Sequence, residues 1–568
     1  MQKFVLLFVL VLFLMPRFAK ASDKPLKNLA LNKPYEITAA WPDDFFHQTE
    51  SDYKDSESRE LTDGEFGSLR YQDSAWQSFL RQGGRTIVVD LGEVKTVNEI
   101  TGHFLQFWEA GIYVPRFLDY YLSLDNERFA YMGQVETNVG PWNRKNQKEQ
   151  FTLKDLNHQA RYVKIQFPTD VFVFMDEIEV FGVDEILPGS LELQITEEKA
   201  LEKLWEKSAI LGPEALSARG YLPKGSAEAA GAEHIVLLYY AYPPAVDKGS
   251  WASFDFIPYV SYISEDSMPK DWLFDTILML PQGATPSGNK LYATDPSHAA
   301  TIDDWLWYVE ETFLPERQVS ALNKAVKTCG NLLQDQDHKV KVVLSLVSPS
   351  PFQNDFGPLE KGGESLNFNY QKVGDQKALE NRLTAVKWLI DQLICGFEKA
   401  DTDNLELIGL YWTPESIVYH QSPSDDEFVR KVSELVHEKG LKFFWIPFYG
   451  AAGSYDWRNF GFDAVMLQPN YVFSDTEEER VKAAATTANH LGMGIEMEKH
   501  WNDTSVERNK WRDYLNGGVK YGYMNALVGY YQSFNDLSRA AMTYNSRSLY
   551  YDSVYQFIKG KYKMPDQD

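Results

Sequence analysis

The chain has 568 residues, 44% hydrophobic and 24% charged, the composition of a folded protein of two or three domains. A net charge of −25 argues against a nucleic-acid backbone or an anionic membrane surface as partner. With only two cysteines there is no disulfide framework and no cysteine metal cluster; Cys329 and Cys395 fall in helical patterns, as buried thiols or as one bridge.

At the N-terminus, Lys3 precedes an apolar run from Phe4 to Met15, and Ala19-Lys20-Ala21 follows. A short positive region, a hydrophobic segment and a small-x-small site predict a cleavable signal peptide over residues 1–21. The run is shorter than the roughly 20 residues that a membrane helix needs. No cysteine stands there for lipidation, and no later segment reads as transmembrane. The expectation is a soluble protein, secreted or periplasmic.

Residues 26–184 alternate short β-like runs with turns: Thr86–Leu91, Thr96–Phe104, Tyr120–Leu124, Tyr162–Phe167 and Glu177–Phe181. Helical periodicity is missing, so an all-β sandwich is expected. The segments NLALNKPYEIT, LTDGEFG, IVVDLGEVKTVNEI, ARYVKIQF and MDEIEVFG, in that order, resemble the coagulation-factor 5/8 C-terminal family of discoidin-like, galactose-binding-like jelly rolls. The resemblance implies a carbohydrate-binding module or a purely structural domain. It also implies a structural Ca²⁺ near Asp63, Gly64 and Glu177, whose hard oxygen ligands suit that ion; the alternative is an Asx turn beside a solvated glutamate. Sugar-site loops of the family correspond here to Trp41, Phe45, Phe46 and His47, and to Trp108, Trp142 and Asn143, each of which is otherwise core.

Pro188 and Gly189 open a connector over residues 185–231, in which ITEEKALEKLWEKSAI reads as a charged amphipathic helix without chemistry of its own.

From residue 232 to 568, apolar runs suited to strands buried on both faces recur eight times. They are Ile235–Tyr240, Thr276–Leu280, Val340–Val347, Leu405–Trp412, Lys442–Pro447, Ala464–Gln468, Gly494–Glu498 and Ala526–Tyr531. Helical patterns at 379–397, 425–438, 477–491 and 505–515 fill several gaps. Residues 241–275 read as mostly loop, and 450–462 hold barely one helical turn. Eight strands alternating with helices predict a (β/α)8 TIM-like barrel.

The site of such a barrel gathers at the C-terminal strand ends. Those ends carry Tyr239, Tyr240, Tyr242, Gln282, Ser345 and Ser348 in the first three strands. Pro414 lacks a backbone N–H and closes the fourth, leaving Trp412 and Glu415 where the strand meets its loop. Aromatic faces for sugar C–H groups and amides for hydroxyls make the inventory that of a glycan groove. The candidate substrate-binding set is Tyr240, Trp412, Tyr449, Gln468, Asn470, Tyr471, His500, Tyr531 and Gln532. Glu496 and Glu498, two apart on one strand, share a face with Cα atoms roughly 7 Å apart. Glu498, nearer the rim, is the candidate to meet substrate, and Glu496 to support it.

Glu415 after strand four and Glu498 ending strand seven resemble the clan A retaining glycoside hydrolases, although Pro414 stands where that clan has Asn. GLYWTPES, FFWIPFYGAAG, GFDAVMLQPNYVF and MGIEMEKH together resemble a family of secreted bacterial barrel proteins of unassigned function. The first resemblance implies Glu415 as acid/base and Glu498 as nucleophile of a glycoside hydrolase needing no catalytic cofactor. Retaining enzymes hold the two carboxyls about 5 Å apart and inverting ones about 6.5–9.5 Å. A catalytically silent glycan-binding barrel, an inverting hydrolase and a lyase remain the alternatives. Serine-hydrolase elbow, HExxH, phosphate loop and dinucleotide fingerprint are all missing from the sequence.

Overall fold

A run of alternating or continuous apolar residues becomes a strand when each face finds a cover, and this chain supplies two different covers. The protein is described by a computed structural model over residues 24–39, 59–80, 83–107, 110, 112–139, 145–169, 172–195, 219–242, 248–292, 297–417, 425–451, 453–454, 457–473, 479–500, 502–543 and 546–565. The expected signal segment, the loop aromatics Trp41, Phe45, Phe46, His47, Trp108 and Trp142 with Asn143, and nearly all of the connector's helical pattern lie outside these residues.

The N-terminal region holds nine strands: β1 (Lys27–Asn28), β2 (Tyr35–Ala39), β3 (Gln77–Leu80), β4 (Gly83–Gln106), β5 (Phe117–Ser123), β6 (Phe129–Glu136), β7 (Gln147–Leu153), β8 (His158–Thr169) and β9 (Phe172–Val183). All pair antiparallel, in the order β1-β9-β4-β8-β5-β6, with β2 and β7 also on β4 and β3 on β9. Two runs read separately from the sequence are one strand, β4, whose pairing with β8 breaks register between Asp90 and Lys95. Alternate residues such as Ile87 and Val89, Leu118 and Tyr120, and Val163 and Ile165 point into one buried core. This is the expected β-sandwich.

The C-terminal region closes a barrel of eight parallel strands. In chain order they are β10 (His234–Tyr240), β13 (Thr276–Pro281), β14 (Val340–Leu346), β15 (Leu405–Trp412), β16 (Lys442–Trp445), β17 (Ala464–Leu467), β18 (Gly494–Glu498) and β19 (Val528–Tyr531), with β19 pairing back onto β10. Every one matches an expected run. Helices stand between most strands: α1 (Ser253–Val260), α2 (Ile302–Thr312), α3 (Gln318–Leu333), α4 (Asp375–Lys399), α5 (Asp425–His437), α6 (Glu479–Leu491) and α7 (Ser505–Lys520), then α8 (Asp536–Ala541) after β19. Residues 248–275 hold more regular structure than expected. They hold α1, which tolerates Pro258, and a hairpin of β11 (Ser261–Ile263) with β12 (Pro269–Trp272).

Two cores follow from strand parity. Ile235, Leu237, Leu278, Val343, Phe444 and Met466 fill the barrel interior, while Val236, Ile277, Val342, Phe443, Val465 and Ile495 face the helices. Parity reverses inside β15: Ile408 is skipped between the pairs Val342↔Leu407 and Val343↔Gly409. Ile408 and Tyr411 therefore both point inward, and Leu410 and Trp412 outward. Gly409 is required at this bulge, because a Cβ there would sit 2.5 Å from the Lys442 carbonyl oxygen. The two cysteines are free thiols, Cys329 buried and Cys395 half-buried.

Candidate functional site

Parallel pairing puts all eight C-terminal strand ends at one mouth. A cavity of about 450 Å³ opens there between the ends of β10, β13, β14 and β15, bordered by Tyr239, Gln282, Tyr292, Ser348, Trp412 and Glu415. Pro414 ends β15 as expected, and the Trp445 indole N–H donates to the Pro414 carbonyl at 2.7 Å, fixing the turn that carries Glu415. Glu415 is exposed at the cavity, and desolvation by the walls around it pushes its carboxyl up, against a hydrogen bond from Gln468.

Gln468 is itself held: its amide donates to the Ile446 carbonyl at 2.9 Å, and its Oε1 accepts from Asn470 Nδ2 at 3.3 Å. Asn470, with φ of 52°, accepts the Tyr449 N–H at 3.0 Å. Gln468 and Asn470 thus form a braced pair beside Glu415.

Glu496 and Glu498 both point inward at the end of β18, 2% and 1% exposed, and neither borders the cavity. Their environments differ. Burial, then Glu498, then Glu415 push Glu496 well above the usual carboxylate range; Oε1 of both carboxyls is buried without a hydrogen-bond partner among the described residues. Burial pushes Glu498 up to about 7, restrained by the Tyr514 hydroxyl and the Tyr471 and Asn470 amides. The Tyr514 phenol donates to Glu498 Oε2 from α7. Glu415 raises both carboxyls through space, and Tyr239 and Tyr411 sense Glu415 and Glu496 together. Three carboxyl groups therefore share one electrostatic neighbourhood.

Several expected contacts go elsewhere. Tyr240 points to the helices, its hydroxyl 2.7 Å from Thr312 Oγ1, because the inward parity of β10 belongs to Ile235, Leu237 and Tyr239. Gln532 is also turned outward, its Oε1 accepting from the Tyr259 hydroxyl and the Leu537 N–H, both at 2.9 Å. Trp412 borders the cavity, but its indole packs outward on Phe428 and Phe443, the same side as its β14 partner Leu346. Tyr471 donates to Asp513 at 2.8 Å, and Tyr449 lies under the Arg480 guanidinium at 4.3 Å. His500 accepts the Asn502 N–H at 3.2 Å. Tyr531 stays at the mouth, edge-on to Tyr239 with centroids 6.1 Å apart.

The cavity also uses residues outside the expected set. Tyr239 replaces Tyr240, on the inward side with Ile235 and Leu237. Tyr292 comes from a loop, and Arg382 and Asp425, a buried ion pair at 3.1 Å, come from α4 and α5. Neither these nor Tyr514 leave a local mark in the sequence.

In the sandwich, Asp63 and Glu177 do meet. The pairs His103↔Glu177 and Phe104↔Met175 leave Asp176 as a bulge, so two consecutive carboxylates turn to the same loop. Glu177 Oε2 accepts the Gly64 N–H at 3.1 Å and Asp176 Oδ2 the Gly67 N–H at 2.9 Å, while Asp63 Oδ1 accepts the Glu65 N–H at 2.7 Å. Gly64, at φ of 84°, makes that turn. Asp176 Oδ1 and Glu177 Oε1 are buried without a partner, and burial pushes the two carboxyls up to about 7 and about 8. Orphaned, desolvated carboxylate oxygens beside a tight turn fit a hard cation. Among the described residues no three His, Cys, Asp or Glu side chains converge as a metal site, so backbone carbonyls would complete the shell.

Among the described residues no helix is long and apolar enough to cross a membrane. Residues 47–178 match the family model described as F5/8 type C domain. The chain is similar to the lectin domain of lectinolysin complexed with Lewis B antigen, 17% identical over 28% of this chain and 96% of that one, with a TM-score of 0.21. It is similar to chitosan-binding module 1 from a chitosanase/glucanase of Paenibacillus sp. IK-5, 20% identical over 28% and 99%, with a TM-score of 0.19. A fucose binding module of Streptococcus pneumoniae is 18% identical over 29% and 99%, with a TM-score of 0.21. No curated protein matches the chain. Residues 235–556, more than half of the chain, match the family model described as Domain of unknown function (DUF4855), and the chain belongs to that family.

Proposed function

We propose that the protein is an exported glycoside hydrolase: a (β/α)8 barrel with its site at the mouth, joined through residues 185–231 to a glycan-binding sandwich that holds structural Ca²⁺. The observation that carries this reading is the separation of three carboxyl groups by environment. Glu498 has a phenol and two amides to stabilise its charge, Glu415 one side-chain amide, and Glu496 none. Carboxyls whose surroundings push their protonation apart are how one site holds an acid and a base at one pH.

In the first step Glu415 gives its proton to the glycosidic oxygen as ionised Glu498 attacks the anomeric carbon and the leaving sugar departs. In the second step Glu415 takes a proton from water, which displaces Glu498 from the sugar. Glu496, held well above the usual carboxylate range, stays buried behind the cavity. Braced Gln468 sets the orientation of Glu415, and Tyr239 and Tyr531 offer ring faces to the sugar.

The test is turnover on a broad polysaccharide panel. Glu498→Ala should be inactive and partly restored by azide, and Glu415→Ala should spare substrates whose leaving group needs no proton. Restoration of Glu496→Ala by azide, with Glu498→Ala still active, would reassign the nucleophile.

A second reading, a silent glycan-binding barrel, is favoured by the burial of Glu496 and Glu498 away from the cavity wall. Binding without turnover across the panel, unchanged in Glu498→Gln, would establish it.

A further inference from the structure

Beside the cavity described above lies a second, smaller pocket of about 210 Å³ at the same mouth, bordered by Lys248, Ser250, Trp251, Asp255, Phe534 and Asn535. It belongs to the loops after β10 and β19, on the other side of Tyr239. One contact joins it to the first cavity, and another holds its Phe534 wall in place. The Trp251 indole N–H donates to the Tyr239 carbonyl at 2.8 Å. Phe534 meets Tyr242 edge-on, with centroids 5.6 Å apart.

Its walls are built at a conformational cost. Ala241 (φ 52°) and Ser533 (φ 61°) follow the neighbouring strands β10 and β19 in the left-handed region; Ser533 places Phe534 in the pocket wall, and Ala241 places Tyr242 against Phe534. Gln318, also left-handed at φ 45°, accepts the Trp251 N–H at 3.2 Å and donates to the Gly249 carbonyl at 3.0 Å. Non-glycine residues are held this way only where surrounding packing over-determines them, and such positions gather at functional sites.

The chemistry of the lining is mixed. Phe534 is half-buried and leaves part of its ring open, with the Lys248 ammonium 5.9 Å from its centroid. Asp255 spends Oδ2 on the Ala252 N–H at 2.8 Å. Lys248 and the amide of Asn535 supply donors, Ser250 a hydroxyl and Asp255 an acceptor. One aromatic face, a cation, a carboxylate and hydroxyls suit a ring that is apolar above and hydroxylated at its edge.

We propose that this pocket is a second sugar subsite, holding a neutral pyranose unit of the same glycan chain whose reacting unit occupies the first cavity. The proposal rests on the glycosidase reading of the mouth and deepens it. The substrate is an oligosaccharide or polysaccharide that crosses Tyr239, not a single terminal sugar on a small leaving group.

The experiment measures kcat/KM of the full chain on an oligosaccharide series of rising length and on a short aryl glycoside of the same sugar. Wild-type kcat/KM should rise with length and then level. Lys248→Ala and Phe534→Ala should each raise KM for the long members about fivefold to tenfold, leave the aryl glycoside unchanged, and shift product lengths. Phe534→Trp should restore the length dependence. Equal losses on short and long substrates, or a wild-type profile flat with length, would overturn the subsite while leaving the hydrolase reading intact. A preference confined to uronate-containing members would overturn its neutral-sugar assignment. A wild-type chain that cleaves no glycan sinks the hydrolase reading and the subsite with it.

Discussion

Both halves of the molecule bury a pair of carboxylates from one strand, and they do so in opposite ways. In the sandwich, a bulge turns the consecutive residues Asp176 and Glu177 toward one loop, where backbone amides of Gly64 and Gly67 receive them. In the barrel, regular alternation along β18 sends Glu496 and Glu498 to the same face at different depths. Convergence on a turn gathers orphaned carboxylate oxygens in one place. Separation along a strand gives two carboxyls different surroundings and different proton affinities. On the proposed reading, the same desolvation serves a cation in one case and proton transfer in the other.

The strongest way to break this comparison is to remove one carboxylate from each pair. Glu498→Ala should lower turnover by about 10²–10⁴-fold or more, whereas Glu177→Ala should leave turnover on soluble substrate unchanged and lower the melting temperature of the sandwich. Loss of turnover in both variants would mean that the two regions do not divide labour.

Next in size is the response of the sandwich to calcium and pH. Between the unfolded values of 3.8 and 4.5 and the folded values of about 7 and about 8, Asp176 and Glu177 keep protons that the unfolded chain has released. In chelator, stability should therefore fall as pH rises through that window. Excess Ca²⁺ should raise the melting temperature by about 5 °C or more at pH 8 and by less at pH 5. A calcium effect that is absent, or larger at pH 5, would remove the cation site.

Tyr514→Phe takes from Glu498 a donor that holds its proton affinity down. With one hydrogen bond to a charged group lost, its value should climb about one unit from about 7. The ionised fraction at pH 7 then drops about fivefold, and the acid limb of the pH–activity profile moves to higher pH. An unmoved limb would place the essential base elsewhere.

The smallest effect sharpens the comparison. Burial and the two neighbouring carboxyls push Glu496 well above the usual carboxylate range and so favour its uncharged form, which Glu496→Gln imitates. Its melting temperature and turnover should stay near those of the wild type, while Glu498→Gln loses turnover.

The eight strands were legible because they are largely buried on both faces and most read as runs dominated by apolar residues. So was the mouth, since strand ends alone select Glu415, Gln468, Asn470 and Tyr531. Which side chains enter it was not. Tyr239 against Tyr240, Tyr531 against Gln532 and Tyr411 against Trp412 are adjacent pairs, and an apolar run buried on both faces carries no alternation to say which member faces inward. Helix α1 was hidden by Pro258 and its short length. Arg382, Asp425 and Tyr514 reach the site from helices, over sequence separations that no local pattern records.

The skipped residue in β15 has a consequence for how this mouth tolerates a change of length. Both flanks of the bulge stay in register with β14, Leu407 opposite Val342 and Gly409 opposite Val343. Removing Ile408 would restore regular alternation and leave Tyr411 opposite Ser345, so the mouth would keep its phenol and the barrel interior would lose one aliphatic side chain. A single-codon deletion here is therefore silent at the mouth, and the turn that carries Glu415 keeps its place.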